Sequence, residues 1–266
     1  MVMESVPKFA GMAYAIIATI AVIVLFRTGR FNRRVGYLFL GVSTVLGFLL
    51  FAPMLPYQMQ VLVSGNASQL GVPAALAGGI LLVFIVLTFV FGRAFCGYAC
   101  PIGAVQELLY LVPGRKLTIR NKAVPTALRL LFLVAFIALA AGFSIGLLKY
   151  LGVRDFFYLN AASAFFFVFL ALLLVSVFVY RPFCRLLCPY GALLSLAAIK
   201  GRFKLRRNVH CKDCKKCEKV CPTNEAGRGA LKQECYLCNR CKEACRLDAL
   251  DYTTRQVQPA GDRTAA

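Results

Sequence analysis

Cys211-Lys212-Asp213-Cys214-Lys215-Lys216-Cys217-Glu218-Lys219-Val220-Cys221-Pro222, followed by Cys235-Tyr236-Leu237-Cys238-Asn239-Arg240-Cys241-Lys242-Glu243-Ala244-Cys245, decides how the chain is read. Both stretches have the spacing C-x-x-C-x-x-C-x-x-x-C. Three thiols set two residues apart wrap a tight loop around three corners of a cube, and a fourth must arrive from a distance. A run that occurs twice can supply that fourth thiol by exchange.

This is the thiolate run that holds [4Fe–4S] clusters in bacterial ferredoxins, where the fourth cysteine of each run ligates the other run's cluster. Carried onto this chain, the rule groups Cys211, Cys214, Cys217 and Cys245 on one cluster, and Cys235, Cys238, Cys241 and Cys221 on the second. Structural zinc is the competing reading. Zinc sites usually join two C-x-x-C knuckles across a longer gap, and only one histidine, His210, stands nearby. The second run ends Cys245-Arg246 and lacks the proline that follows Cys221. Thiolate-ligated clusters are anionic, so Lys212, Lys215, Lys216 and Lys219 would favour the reduced state and offer a docking face to an acidic partner.

Composition sets the surroundings. The 266 residues are 60% hydrophobic and 16% charged, with a mean hydropathy of +0.72, too apolar for a water-soluble domain of this size. The net charge of +20, from 31 Lys and Arg against 11 Asp and Glu, could suggest nucleic acid. The basic residues fall in short clusters beside apolar runs, which is the signature of membrane topology instead. All 12 cysteines sit in ligand-type spacings, so a reducing, metal-loading compartment is expected. A single histidine cannot supply paired haem ligands, and no C-x-x-C-H, G-x-G-x-x-G or Walker sequence occurs.

Five apolar runs are expected to cross the bilayer: 9–26, 36–54, 73–91, 130–148 and 156–180, measured against the roughly 20 residues a span needs. A cleaved signal peptide competes for the first, but Arg27, Arg30, Arg33 and Arg34 follow that run, where a signal would place them before it. The charge-free segment 55–72 is expected to be an external loop. Basic residues cluster at 27–34, at 93–122 and at 181–207, and placing all three inside puts the N-terminus out and the cysteine block on the cytoplasmic face. The predicted organisation is an all-α polytopic membrane domain of about five helices over 1–200, a small α+β bacterial-type 2[4Fe–4S] ferredoxin domain over 201–252, and a disordered tail over 253–266.

An internal repeat marks the membrane boundary. Arg93-Ala94-Phe95-Cys96-Gly97-Tyr98-Ala99-Cys100-Pro101-Ile102-Gly103-Ala104 matches Arg181-Pro182-Phe183-Cys184-Arg185-Leu186-Leu187-Cys188-Pro189-Tyr190-Gly191-Ala192. Both read R-x-F-C-x-x-x-C-P-x-G-A, and two crossings separate them, so both emerge on one side. Cysteines four apart share one face of a helical turn. Cys96, Cys100, Cys184 and Cys188 are therefore a candidate additional redox or metal site, a third cluster included. They compete with two other readings: a thiol set or docking surface beside a quinone pocket, and a structural turn. The preceding arginines would snorkel to lipid phosphates or balance negative charge. The short apolar stretches 104–112 and 192–199 fit interfacial helices under the membrane. Glu107 within the first is either a solvated face residue or a proton acceptor for a quinol.

Several spans carrying two C-x-x-x-C-P motifs, followed by a double-cluster cysteine block, resemble the NapH/MauN-type membrane ferredoxins over residues 73–252. The first span exceeds the four usual in that family. The resemblance implies an electron-transfer subunit of a quinol dehydrogenase-type complex in a bacterial or archaeal cytoplasmic membrane. Its expected partners are the quinone pool, membrane lipid, and ferredoxin-like, cytochrome or reductase subunits, without nucleic acid. An accessory factor that supplies electrons for metalloenzyme assembly, with no quinol turnover, is the alternative.

Overall fold

The computed structural model describes residues 2–52, 54–65, 73–119, 121–143 and 146–254. The apolar runs become helices because, in lipid, a backbone must satisfy its N–H and C=O groups within its own segment. Four helices are long and apolar enough to cross a membrane: α1 (Val2–Arg27), α2 (Arg33–Leu50), α4 (Ala74–Phe91) and α6 (Ala123–Phe143). Between α2 and α4 the predicted loop contains α3 (Leu55–Val63), which buries Leu55, Met59 and Val61; residues 66–72 lie outside the described residues.

Two expected spans differ. Helix α6 begins at Ala123 and continues through Arg129, seven residues ahead of the apolar run that starts at Leu130, because the Arg129 side chain is buried against an ion-pair partner. The fifth run is divided. After α7 (Leu147–Tyr150) come α8 (Val153–Phe157), a turn, and α9 (Ala164–Val175) of 12 residues. The turn is closed by bonds back to the residue just ahead of the run: Asn160 N–H donates to the Asp155 carbonyl at 2.9 Å, and Ser163 Oγ–H donates to Asp155 Oδ2 at 2.6 Å.

The short helices α5 (Pro101–Tyr110) and α10 (Pro189–Ile199) do not lie on an interface. Pro101 through Glu107 are all buried, as are Pro189 through Ala192, Leu194, Ser195 and Ala198. Small residues make this possible. Helix α2 turns a stripe of Gly36, Leu40, Ser43 and Gly47 inward, and Gly47 sits so close to Pro101 that a Cβ would come within 2.5 Å of it. Tyr190 Oη–H, on α10, donates to the Leu81 carbonyl of α4 at 2.8 Å.

Beyond α10 the chain forms β1 (Lys204–Arg207), α11 (Lys216–Lys219), α12 (Arg240–Glu243) and β2 (Leu250–Thr253). The strands pair antiparallel, Lys204 opposite Thr253 and Arg207 opposite Leu250, so they fasten the two ends of the cysteine block together. That block lies against the C-terminal end of α4: Phe203 N–H donates to the Val90 carbonyl at 2.9 Å, Tyr252 Oη–H donates to the Phe91 carbonyl, and Phe91 stacks on Phe203. The expected tail begins inside β2 at Thr253, and residues 255–266 lie outside the described residues.

Candidate iron–sulfur site and its membrane dock

The two cysteine runs have one conformation, repeated. Asp213 and Lys215 flank the middle cysteine of the first run with φ of 49° and 56°, and Leu237 and Asn239 do so in the second with 54° and 64°. Asn224 and Asp248, three residues beyond each fourth cysteine, are likewise left-handed at 57° and 43°. Side chains other than glycine rarely hold this backbone region. Here it curls the backbone on both sides of the middle cysteine of each run.

The four cysteines of the second grouping lie around one pocket. Cys221, Cys235, Cys238 and Cys241 line it together with Tyr180, Leu205, Tyr236 and Leu250. Of the first grouping, Cys217 and Cys245 pack in one small cluster with Ala226 and Leu250, which Cys221 and Cys241 of the second grouping also join, while Cys211 is half-buried and Cys214 exposed. Each fourth cysteine accepts a backbone hydrogen bond, Cys221 Sγ from Glu225 N–H at 3.2 Å and Cys245 Sγ from Ala249 N–H at 3.3 Å. Among the described residues, no three His, Cys, Asp or Glu side chains close around a point as a single ion would require. A cube of iron and sulfide is larger and takes its thiolates at its corners, so the all-thiolate donor set, the pocket and the amides that donate to sulfur fit that group.

The environment is cationic. Burial pushes the Cys235 thiol up to about 12 in the metal-free chain, and the nearest compensating charge is Lys232, which lies beside Cys235, Cys241 and Cys221. Lys232 is fixed by its own bonds: N–H to Glu225 Oε2 at 2.7 Å and Nζ to the Gly227 carbonyl at 2.8 Å. Arg207 does the same near Cys211 and Cys217 and is held by Asp213 and Glu218. Neither was singled out from the sequence. Lys212, Lys215, Lys216 and Lys219, which were, are all exposed on the outer side of the first run.

Each C-x-x-x-C motif folds as a five-residue π-turn, Phe95–Ala99 and Phe183–Leu187, in place of the expected α-turn. Cys100 N–H reaches back five residues to the Phe95 carbonyl at 3.0 Å, and such turns recur at functional sites. Cys100 and Cys188 then cap α5 and α10, each with proline in the first turn. The motifs interlock. Arg181 of the second copy lies 3.2 Å from where a Cβ on Gly103 of the first would stand, and Arg93 of the first lies 3.2 Å from the same point on Gly191 of the second. Cys96, Cys100, Cys184 and Cys188 are all buried in one core, each within electrostatic reach of the other three.

The second cysteine run docks on this assembly. Tyr98 Oη–H donates to the Leu237 carbonyl at 3.0 Å, and Gly97 lies directly against the Tyr236 carbonyl. Two buried carboxylates tie the parts together. Glu234 accepts from Arg129 at 3.0 Å and from Arg185 at 2.9 Å. Glu107 accepts from Arg181 at 2.9 Å and from Arg240 at 2.5 Å. Glu107 is 5% exposed, so it is not a solvated face residue. Burial opposes its charge, but Arg181 and Arg240 together outweigh that and hold its carboxyl below the usual range. Arg93 and Arg181 point inward over the ring of Tyr236, 4.5 and 4.8 Å from its centroid, and do not snorkel to lipid. An arginine within an apolar helix already signals a buried partner; Arg129 carried that signal, and Glu234, beside Cys235, answers it.

A helical membrane region joined to a thiolate-rich, iron–sulfur type block defines an electron-transport protein of the membrane-ferredoxin class, and the comparisons agree. The family model described as "4Fe-4S binding domain" matches residues 74–120 and 162–208, which are the two membrane copies. An uncharacterized protein of Methanocaldococcus jannaschii is 35% identical over 65% of this chain and 77% of its own length. The putative electron transport protein YccM of Escherichia coli is 30% identical over 77% of this chain and 62% of its own length. The ferredoxin-type protein NapH of Escherichia coli is 24% identical over 74% and 73%. The methylamine utilization ferredoxin-type protein MauN and the regulatory protein NosR also match. No solved structure matches. The chain belongs to the NapH/MauN-type ferredoxin family.

Proposed function

We propose that this protein passes electrons between the quinone pool and partner redox proteins through two [4Fe–4S] clusters, one held by Cys211, Cys214, Cys217 and Cys245, the other by Cys235, Cys238, Cys241 and Cys221. The observation that carries this reading is the pocket shared by Cys221, Cys235, Cys238 and Cys241, set directly against the duplicated membrane motif. When bound, such clusters supply one-electron transfer. The chain's own residues do the rest. Lys232 and Arg207 offset thiolate charge, Glu107 and Glu234 fix the cysteine loop to the bundle, and exposed Lys212, Lys215, Lys216 and Lys219 present a cationic face to an acidic partner subunit.

The proposed topology has five crossings with the divided run 156–180 as the fifth, a membrane domain over 1–200, a small α+β ferredoxin domain over 201–252, and the cysteine block on the cytoplasmic side of a bacterial or archaeal membrane. Its support is the gathering of the basic segments 27–34, 93–122 and 181–207 at the block's end of the helices. Similarity to NosR, named as regulatory, favours a second reading: an accessory role in which electrons serve assembly of another metalloenzyme. Iron analysis and low-temperature EPR on anaerobically purified protein test the first reading, which expects at least about eight irons per chain and cannot survive fewer than about six. In membranes, a reduced quinol analogue should bleach the cluster absorbance. Absence of quinol-dependent bleaching with iron intact would select the accessory role.

A further inference from the structure

The duplicated motif contains an unanswered charge. Arg93 and Arg181 open the two copies and are equivalent, and both are at least 99% buried by their 0% and 1% exposure. Arg181 is neutralised by Glu107. Arg93 has no carboxylate within ion-pair distance among the described residues. Its Nη2 lies 3.8 Å from Cys96 Sγ, and its Nε and Nη1 have no hydrogen-bond partner. Arg129 and Arg185 also have buried nitrogens without partners, Nε and Nη2 of the first and Nη2 of the second, although both contact Glu234. A buried guanidinium without a counter-charge is strongly unfavourable. Tyr236, Cys96 and, beyond ion-pair distance, Glu234 act on Arg93; Glu234 is already shared by Arg129 and Arg185, which leaves the Cys96 sulfur as the group within hydrogen-bond reach.

The sulfurs of the duplicated motif are prepared as acceptors. Cys96 Sγ faces Arg93; Cys184 Sγ accepts from Gln106 Nε2–H at 3.2 Å; Cys188 Sγ accepts from Gly191 N–H at 3.2 Å; and the Gly103 and Ile102 amides point at Cys100 Sγ. A neutral thiol is a weak acceptor and needs no such convergence, whereas metal-bound thiolates are tuned by it. Each segment matched by the iron–sulfur family model contains only two cysteines, Cys96 and Cys100 in 74–120 and Cys184 and Cys188 in 162–208. Four-thiolate ligation therefore requires both segments at once, and the interlocked motifs bring all four sulfurs into one core.

We propose that Cys96, Cys100, Cys184 and Cys188 jointly ligate a third iron–sulfur cluster, shared between the two halves of the membrane domain and balanced by Arg93. Tyr236, whose ring lies under Arg93 and which follows Cys235 directly and precedes Cys238 by two residues, stands between it and the second ferredoxin site.

Iron analysis with Mössbauer spectroscopy on the anaerobically purified full chain, alongside the double variant Cys96→Ser/Cys184→Ser, tests this. The wild type should contain about twelve irons if the cluster is [4Fe–4S], or about ten if it is [2Fe–2S], and the variant about eight with both ferredoxin signals retained. A wild-type count of about eight with two intact ferredoxin spectra would overturn the inference and leave the two-cluster function standing; a count near four or below would instead strike that function. Should the double variant fail to accumulate, the wild-type count still decides. Arg93→Gln gives an independent readout: iron is retained and the midpoint potential of the third signal alone falls, because a cation that favours the reduced state has been removed. Retention of twelve irons in the cysteine variant, or an unmoved potential in Arg93→Gln, contradicts the assignment.

Discussion

At Gly97 the ferredoxin loop touches the membrane motif with nothing between them. A Cβ there would stand 2.4 Å from the Tyr236 carbonyl oxygen, closer than any real contact. Gly97→Ala should therefore push the loop away while leaving the eight ferredoxin thiols untouched. The expected outcome is full iron content with quinol-dependent bleaching of the clusters slowed at least about tenfold, as a displacement of about 1 Å at a reacting contact can cost a hundredfold. Stopped-flow on membranes measures it. Glu107 adds a pH dependence. Its carboxyl is held below the ordinary value by Arg181 and Arg240, so its contribution to docking is complete above that ordinary value and is lost as the pH falls through the lowered one. The hydrogen-exchange protection factors of the 234–241 amides, referred to the intrinsic exchange rate at each pH, should stay high at neutral pH and fall on acidification, and Glu107→Gln should show the lowered protection already at neutral pH. Sequence reading found the thiols at this scale because spacing is a local property. It could not assign Glu107, whose partners Arg181 and Arg240 lie 74 and 133 residues away.

Among the elements, helix α6 shows what a hydropathy reading leaves out. The apolar run starts at Leu130, yet the helix enters at Ala123 and carries Arg129 in buried at 0% exposure, because Glu234 of the ferredoxin loop meets it. Glu234→Ala would leave Arg129 and Arg185 buried without a counter-charge, and breaking a buried pair in this way costs about 3–5 kcal/mol. A lowered thermal midpoint in detergent should be matched by the charge-conserving Glu234→Asp falling far less. The π-turns were similarly invisible: two cysteines four apart fit an α-turn as well as a π-turn, and only the five-residue reach of Cys100 to Phe95 distinguishes them. The fifth run looked continuous because Asn160 and Ser163 are few among many apolar residues, although both bond back to Asp155 just ahead of the run and close a turn. Helices α5 and α10 were legible as helices by length and pattern; their burial depended on how small residues on other elements let them in.

On the scale of the molecule there are two duplications, one of membrane segments and one of cysteine runs, packed face to face. The self-match R-x-F-C-x-x-x-C-P-x-G-A made the first legible and the cysteine spacing made the second so; their mutual docking was not, since it runs through Arg–Glu pairs between distant segments. The exposed lysines of the first run lie away from that dock. Replacing Lys212, Lys215, Lys216 and Lys219 by glutamate should leave quinol-dependent bleaching intact and slow onward transfer to an acidic acceptor. Raising the ionic strength should slow the wild type toward the variant's rate, since charge steering is screened over a Debye length of about 10 Å at 0.1 M salt.

The reciprocal seating of Arg93 against Gly191 and of Arg181 against Gly103 has a bearing on biogenesis. As the chain leaves the ribosome, the first motif is inserted with a guanidinium whose seat has not yet been synthesised, and it must wait for the later helices before it can close. Maturation is thus gated by translation of the second half, and the two halves made as separate polypeptides should each be cleared by quality-control proteases yet rescue one another when produced together.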